Sequence, residues 1–367
     1  MDRNRRQLLF GAASLGLAMT VAGNTQAQER ATGTADSLVS PSTRRFMNLF
    51  RLTYPILQAP LGGVDGAMLA TAVSKAGALG TMAVWTLPLD LAVRRVETVR
   101  AQTDRPFVVN YVLARSELES LRAVLAAGAP IVQFSWGIPN SDAIDTIRRA
   151  GATFGVQVTS AAGARAALDV GADYLVCQGT QAGGHVQATL PLDQALREVL
   201  GEADEKPVVA AGGLVNGSDI RGVLSRGAAG AALGTRFVAT QESRGHRAYK
   251  EALVGADSSE DTVLTVCYSD NWPNATHRVL RNDTFRQWEA AGCPPAGQRP
   301  GEGDVIATRP DGRQVLRYAT ATPQEDLQGE KILDAALYAG EGVGRVTDIP
   351  SAGELIRRLW AEFELDA

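Results

Sequence analysis

From about residue 54 onward, short apolar runs alternate with longer segments in which apolar and polar positions follow helical spacing. The apolar runs are four to six residues long and rich in Val, Leu and Ala. Strands covered on both faces of a parallel sheet have this composition. The sequence predicts eight such strands: Tyr54–Ala59, Leu79–Val84, Phe107–Val112, Ile131–Phe134, Thr153–Val158, Tyr174–Cys177, Pro207–Ala211 and Ala229–Leu233.

The segments between the runs carry the start and stop signals of helices. A glycine that can adopt the left-handed conformation ends five of them: Gly77, Gly128, Gly151, Gly171 and Gly227. The predicted N-caps are Ser116, Ser160, and Asn216 or Ser218. Eight strands separated by helices predict a (β/α)8 TIM barrel over residues 46–254. An open doubly wound sheet is less favoured, because no G-x-G-x-x-G follows the first strand.

The pattern changes after the eighth strand. Residues 255–345 are polar, proline-rich and weakly periodic, which indicates an irregular insertion or cap over the barrel mouth. Helical spacing returns at Glu354–Phe363, within residues 346–367, and predicts a helix that closes the outer ring of the barrel.

The first residues have the features of an export signal. Arg5 and Arg6 precede an apolar run, and Ala27 ends a small-residue cleavage pattern. Residues 1–27 are therefore interpreted as a twin-arginine signal, and residues 28–45 as a flexible lead-in. The run is too short and too rich in Gly and Ala for a membrane span. The prediction is a periplasmic mature protein without a membrane anchor, delivered by the export machinery. The alternative is a cytoplasmic protein whose amino-terminal tail is disordered or touches lipid.

Charge and cysteine content exclude some partners. The net charge is −4 without a long basic block, which argues against nucleic acid as a partner. The three cysteines lack the spacing of metal ligands, so no metal site is predicted. Cys267 and Cys293 either form a disulfide or remain free thiols.

The loop after the sixth strand, Gln178–His185, contains three glycines that would let the backbone approach a flat ligand. His185 is a titratable group in a strand-end loop, where barrel enzymes place catalytic residues. A lone histidine is more often structural, but this context favours a catalytic role. His246 and His277 lie outside the strand-end series.

Two further loops predict a phosphate site. Gly212 and Gly213 follow the seventh strand, and Gly234 and Thr235 follow the eighth. Barrels commonly bind phosphate between these loops through backbone N–H groups. Glycine pairs also occur in ordinary turns. The prediction of a phosphate site therefore depends on the presence of glycines in the loops after both the seventh and the eighth strands.

Three carboxamides lie at the ends of the third, fifth and sixth strands of the predicted barrel, around one mouth: Asn110, Gln157 and Gln178. Their donors and acceptors suit a neutral heterocycle with N–H and C=O edges. The alternative is that these amides satisfy loop backbone.

Several motifs together resemble the nitronate monooxygenase family, formerly called 2-nitropropane dioxygenases. The resemblance rests on Pro55–Leu61, Ala72–Gly80, Gln178–His185, Ala211–Gly213 and Leu233–Phe237. It implies FMN as cofactor and His185 as the active-site histidine. The cofactor-binding residues that it and the loop patterns imply are Ala59, Pro60, Leu61, Asn110, Gln157, Gln178, Gly183, Gly212, Gly213, Gly234 and Thr235. The chain departs from the family pattern at Gln181, where an acidic residue is usual, and at Val186-Gln187, where Arg-Gly is common.

The expected reaction is FMN-dependent oxidation of alkyl nitronates or nitroalkanes by O2 to carbonyl compounds and nitrite. His185 would remove the α-proton of a nitroalkane, because an unperturbed imidazole titrates near neutrality. One alternative is an NAD(P)H-dependent reductase of quinones or enoyl thioesters on the same fold. A flavin-free aldolase or isomerase is the alternative from another class, but neither Lys75 nor Lys206 ends a strand, as a Schiff-base lysine would.

Overall fold

The eight apolar runs form the parallel strands of a barrel in a computed structural model that describes residues 39–113, 117–270 and 272–365. Each observed strand agrees with its predicted bounds to within two residues. The barrel strands are β1 (Ile56–Gln58), β2 (Gly80–Ala83), β3 (Phe107–Val112), β4 (Ile131–Ser135), β5 (Thr153–Val158), β6 (Tyr174–Gln178), β8 (Val208–Ala211) and β9 (Gly230–Leu233). The short β7 (Gly184–His185) belongs to another sheet.

Strand order settles the topology as a closed barrel. Neighbouring strands follow the order β1-β9-β8-β6-β5-β4-β3-β2. A parallel bridge between Leu57 and Leu79 joins the two ends. The TIM-barrel prediction is confirmed, and the open doubly wound sheet is excluded.

Helices follow the strands on the outside of the barrel. Their bounds are α1 (Pro41–Phe50), α2 (Ala67–Lys75), α3 (Leu89–Gln102), α4 (Leu118–Ala126), α5 (Ser141–Arg149), α6 (Ala161–Asp169), α7 (Leu192–Glu202), α8 (Gly217–Ser225), α9 (Thr235–Val238), α10 (Arg247–Val254), α11 (Asp283–Ala290) and α12 (Ala352–Leu365). Ser160 and Asn216 cap α6 and α8 as predicted, whereas Ser116 lies outside the described residues. The five predicted helix-ending glycines all have positive φ angles, between 66° and 101°.

Helix α1 closes the amino-terminal end of the barrel. Its Phe46 and Phe50 pack on Tyr174 inside the barrel, with ring centroids 6.4 and 5.2 Å away. This helix begins at Pro41, inside the segment 28–45 that was predicted to be a flexible lead-in. Ser40 accepts a hydrogen bond from the Thr43 N–H and so caps the helix.

The cap over the mouth contains more regular structure than the sequence indicated. Strands β10 (Thr262–Thr265) and β11 (His277–Leu280) pair in antiparallel fashion, and β11 also pairs with β7 of the barrel loop. Strands β12 (Val305–Thr308) and β13 (Gln314–Leu316) form a hairpin, and 3-10 turns cover Ser259–Asp261, Ile332–Asp334 and Glu341–Arg345. The predicted closing helix is α12, which packs against α8 and α2.

Two further sequence predictions concern the pairing of cysteines and the amino-terminal segment. Cys267 and Cys293 are both free thiols, the first buried and the second exposed. The predicted export signal, residues 1–27, lies outside the described residues. Within the described ranges, no helix is long and apolar enough to cross a membrane.

Candidate active site

A cavity of about 460 Å³ opens at the carboxyl ends of the barrel strands, beneath the cap. This volume lies in the range of small-molecule and cofactor sites, about 300–1,000 Å³. All twelve residues predicted from the sequence line it: Ala59, Pro60, Leu61, Asn110, Gln157, Gln178, Gly183, His185, Gly212, Gly213, Gly234 and Thr235. The barrel topology therefore brings the separate loops to one place.

His185 lies between the barrel loop and the cap. Strand β7 places it directly opposite His277 of β11. The indole of Trp272 stacks on the His185 ring at 4.5 Å and 23°, and the ring of Tyr338 lies 5.5 Å away. The His185 Nε2 atom is buried, and no hydrogen-bond partner for it exists among the described residues. His185 thus has a buried ring nitrogen that no protein group satisfies.

The surroundings keep His185 neutral. Burial lowers the pKa of His185 to about 3, with a smaller contribution from His277. Burial also lowers the pKa of His277, whose Nδ1 lies 2.9 Å from the Ala275 carbonyl and whose Nε2 accepts the Tyr268 N–H. The expectation that His185 titrates near neutrality is therefore wrong for this geometry, because the cap removes water from the ring.

Three tryptophans at the cavity were not predicted from the sequence. Trp85 follows β2, Trp136 follows β4 and Trp272 comes from the cap. The centroid of Trp272 lies 4.7 Å from that of Trp136 and 5.9 Å from that of Trp85. The chain has only five tryptophans, and two of these three lie within two residues of the ends of predicted strands. That position was the available signal.

Gln187 links the loop after β6 to its neighbours. Its Oε1 accepts hydrogen bonds from the Trp136 N–H and from Gln157 Nε2, at 3.0 and 2.9 Å. Gln178 uses both ends of its amide within the same loop, since Nε2 donates to the His185 carbonyl and Oε1 accepts the Gln187 N–H. Gln178 therefore follows the alternative in which an amide satisfies loop backbone, whereas Gln157 is bonded to the side chain of Gln187. Both Gln157 and Gln178 still line the cavity.

The other departure from the family pattern, Gln181, does not line the cavity. Its Oε1 accepts the N–H of Leu192 at the start of α7. Gln181 is therefore structural, whereas Gln187 shapes the site through Trp136.

Asn110 remains the carboxamide best placed for a ligand. Its Oδ1 accepts a hydrogen bond from Gln133 Nε2, and Gln133 Oε1 accepts one from the Tyr174 hydroxyl. Asn110 Nδ2 donates to no acceptor among the described residues and lies at the cavity wall. A buried amide held at one end can present its other end to a heterocycle.

Asp65 is a buried carboxyl that organises the loop after β1. It is fully buried, and its Oδ2 accepts the N–H groups of Leu61 and Ala83, each at 2.9 Å. Burial raises the pKa of Asp65 to about 6, against the opposing effects of those hydrogen bonds and of Arg95. Asp65 fixes Leu61, a predicted cofactor contact, to the end of β2.

Glycines let the cap approach the barrel loops closely. A Cβ on Gly183 would lie 2.5 Å from the Gly340 nitrogen, and one on Gly342 would lie 2.3 Å from the Gly213 carbonyl oxygen. Thr235 Oγ1 accepts the N–H of Gly340. The segment after β13 therefore completes the wall beside the predicted phosphate loops.

The site fits FMN by its unpaired backbone groups. No described residue accepts a hydrogen bond from the N–H groups of Gly213 and Gly234, which line the cavity at the ends of β8 and β9. Such N–H groups bind phosphate oxygens in many proteins. Asn110 Nδ2 is available for a ring carbonyl of the isoalloxazine. These residues would hold the cofactor in the cavity.

The cavity wall carries little charge. Among the described residues that line it, Arg309 is the one permanently charged side chain, and none is a carboxylate. Arg309 belongs to the β12–β13 hairpin and is half-buried. Such a wall favours anionic ligands over cations.

Comparisons with known proteins agree with this geometry. A family model described as nitronate monooxygenase matches residues 43–121 and 116–362. A nitronate monooxygenase of Pseudomonas aeruginosa is 31% identical over 87% of this chain and 99% of its own length. A relative from Mycobacterium tuberculosis, named (3aS,4S,5R,7aS)-5-hydroxy-7a-methyl-1-oxo-octahydro-1H-indene-4-carboxyl-CoA dehydrogenase, is 30% identical over 85% of this chain and 93% of its own.

Solved structures share the architecture. FabK from Thermotoga maritima aligns with a TM-score of 0.74 at 25% identity, covering 88% of this chain and 96% of that one. A nitroalkane oxidase from Streptomyces ansochromogenes aligns with a TM-score of 0.68 at 30% identity, covering 87% and 97%. Fold, cavity and relatives define an FMN-dependent oxidoreductase built on a TIM barrel. The chain belongs to the nitronate monooxygenase family.

Proposed function

We propose that this enzyme oxidises alkyl nitronates to carbonyl compounds and nitrite, with O2 as the oxidant. The observation that carries the proposal is the charge of the cavity wall, where Arg309 faces no lining carboxylate among the described residues. A nitronate is an anion, and such a wall stabilises it. Family membership and the 31% identical nitronate monooxygenase support the same reaction.

His185 acts in its neutral form. Because burial lowers its pKa to about 3, the ring carries one N–H donor and one acceptor nitrogen at neutral pH. The donor can hold a nitronate oxygen, and the acceptor can take the α-proton of a neutral nitroalkane. A nitrogen with so low a pKa is a weak base, so the preformed nitronate is the preferred substrate. Bound FMN supplies the redox chemistry.

A thioester-directed reductase or dehydrogenase is the second candidate. It is favoured by the 30% identical relative whose name ends in carboxyl-CoA dehydrogenase. Arg309 would form an ion pair with an anionic group of such a substrate.

Anaerobic reduction of the flavin separates the two candidates. Purified protein loaded with FMN is mixed in the absence of O2 with propyl-2-nitronate or, separately, with NADH or NADPH, and flavin absorption is recorded. Bleaching by the nitronate and not by the nicotinamides is the expected result. Bleaching by a nicotinamide alone makes the chain a reductase.

Arg309→Gln should weaken the binding of anionic substrate. A charge-assisted contact is worth about 1.5–3 kcal/mol, so KM for the nitronate should rise about tenfold or more. Arg313→Gln is the matched control, because Arg313 is an exposed arginine of the same hairpin that pairs with Asp311. Equal KM values for both variants, or loss of FMN from Arg309→Gln alone, would remove Arg309 from substrate binding.

A further inference from the structure

One face of the His185 ring is covered by an aromatic ring of the protein itself. Trp272 stacks on His185 at a centroid distance of 4.5 Å, and Trp136 and Trp85 surround its indole at 4.7 and 5.9 Å. One flat ring thus fills a recess whose walls are His185, Trp136 and Trp85, hereafter called the aromatic recess.

The walls of the recess are held by the barrel. Trp136 follows β4 with a φ of 63°, a left-handed backbone that is strained for a bulky residue. Its backbone N–H donates a hydrogen bond to Gln187 Oε1, which also accepts a hydrogen bond from Gln157 Nε2 of β5. A strained residue persists where its neighbours determine it, and such positions concentrate at ligand sites.

The ring that fills the recess belongs instead to the cap. Trp272 lies in the connection between β10 and β11 and is half-buried. Its backbone N–H donates a hydrogen bond to the carbonyl of Ser269. The recess and its occupant therefore come from parts of the chain that are not neighbours in sequence.

Access to Nε2 of His185 requires a neighbouring group to move, because this atom is buried. A group that exchanges a proton with a substrate must come within hydrogen-bond reach of it, about 2.6–3.2 Å. The His185 Nε2 atom is buried without a partner, and Trp272 covers the ring face. Whatever displaces Trp272 must fill the volume of a flat ring, or contacts with Trp136 and Trp85 are lost.

We propose that the aromatic recess binds a flat aryl substituent attached to the reacting carbon, so that aryl nitronates are the preferred substrate class. The inference rests on the proposed function for the nitronate part, and on the ring contacts for the aryl part. The aryl group takes the place of Trp272, with its edge or face toward Trp136 and Trp85 as aromatic pairs prefer. A small alkyl group fills less of the recess.

Binding of unreactive anions tests the recess without turnover. Phenylacetate and butyrate carry the same charge and differ in the aryl group, and each is titrated into FMN-loaded protein while the visible flavin spectrum is followed. Phenylacetate should bind at least about tenfold more tightly than butyrate. Comparable affinities for the two acids would overturn the proposal.

Variants of the recess and of its occupant should act in opposite directions. Trp136→Ala removes a wall and should weaken phenylacetate binding about tenfold, whereas Trp136→Phe keeps a ring and should retain most of the affinity. Trp272→Ala removes the competing indole and should tighten phenylacetate binding several-fold.

Trp288→Ala is the control, since Trp288 is a cap tryptophan outside the cavity. If Trp136→Ala does not fold, Trp85→Leu tests another wall of the recess, with the same expected loss of phenylacetate binding. Weaker binding in Trp272→Ala, or equal losses in Trp288→Ala and Trp136→Ala, would contradict the proposal.

Turnover then distinguishes the two proposals. The nitronates of phenylnitromethane and 1-nitrobutane are compared by kcat/KM, and the aryl compound should exceed the alkyl one by about tenfold. Oxidation of both at equal rates keeps the proposed function and rejects the aryl preference. Tight binding of phenylacetate without oxidation of any nitronate rejects the function and keeps the recess.

Discussion

The character of His185 comes from its surroundings more than from its residue type. Free imidazole titrates near pH 6.5, whereas burial under the cap lowers the pKa of His185 to about 3. The protonated form is therefore absent in the folded protein over the whole neutral range.

His185→Asn should separate nitronate from nitroalkane chemistry. The amide can still donate to a nitronate oxygen but cannot take up a proton, so nitronate turnover should remain within about tenfold while nitroalkane turnover falls about 100-fold. FMN content should be unchanged. Undiminished nitroalkane turnover would exclude His185 as the base.

The pH profile of the wild-type enzyme provides a second measure at this residue. Because His185 binds a proton only near pH 3, kcat/KM for the nitronate should show no acid limb from this group between pH 8 and pH 5. An acid limb with an apparent pKa of about 6.5 that disappears in His185→Asn would show that the ring titrates normally.

The hydrogen bonds of Asp65 predict how its substitution changes the free energy of unfolding. Asp65→Ala leaves the N–H groups of Leu61 and Ala83 buried without acceptors, at a cost of about 2–4 kcal/mol in unfolding free energy. Asp65→Asn keeps an acceptor oxygen and should recover most of that loss.

The sign of the pH dependence follows from the raised pKa of Asp65. The folded state holds its proton up to about pH 6 and the unfolded state only to about 3.8, so stability from this group is present at low pH and lost as pH rises through 6. Denaturant unfolding of wild type and Asp65→Asn at pH 4.5 and pH 8 checks this. If the wild type gains stability relative to Asp65→Asn over that rise in pH, the carboxyl is ionised and paired instead.

At the scale of elements, the cap and the barrel loops meet at glycines. Gly342→Ala would place a Cβ 2.3 Å from the Gly213 carbonyl oxygen and 2.3 Å from a Val215 methyl. The backbone must shift, so we expect a loss of about 1–3 kcal/mol in stability and weaker FMN binding. Fluorescence titration with FMN and thermal unfolding measure both effects.

Gly222→Ala is the matched control for this substitution. Gly222 lies inside α8 with no atom within 4 Å of an added Cβ, so alanine there should raise stability by about 0.5–1 kcal/mol. Normal FMN binding in Gly342→Ala would show that the cap contributes nothing to the cofactor wall.

The sequence predicted the barrel better than the cap for a physical reason. Barrel strands are buried on both faces, so each is a short apolar run in the sequence. Several of these runs follow a glycine that ends the preceding helix, such as Gly77 or Gly227, so the local sequence pattern agrees with the fold. Strand β11 is four residues long and pairs with β7, about ninety residues earlier in the chain. Nothing local reveals that pairing, so the contact between His185 and His277 and the place of Trp272 could not be predicted.

At the scale of the whole molecule, the export signal remains a proposal, because residues 1–27 lie outside the described part of the chain. Arg5→Lys combined with Arg6→Lys should retain the protein in the cytoplasm, since the twin-arginine pathway recognises the arginine pair. Fractionation of cells that express both forms measures the change. Equal periplasmic recovery of the two forms would contradict this route.

The wall formed by Gly340 and Gly342 also has a consequence during synthesis. The barrel strands end at Leu233, but the cavity is complete only when residue 342 has left the ribosome, more than one hundred residues later. At about 5–20 residues per second, the nascent barrel waits several seconds or longer before its ligand site closes. A chain that terminates before Gly342 would lack part of the wall beside the predicted phosphate loops, so we expect it to retain a prosthetic group poorly.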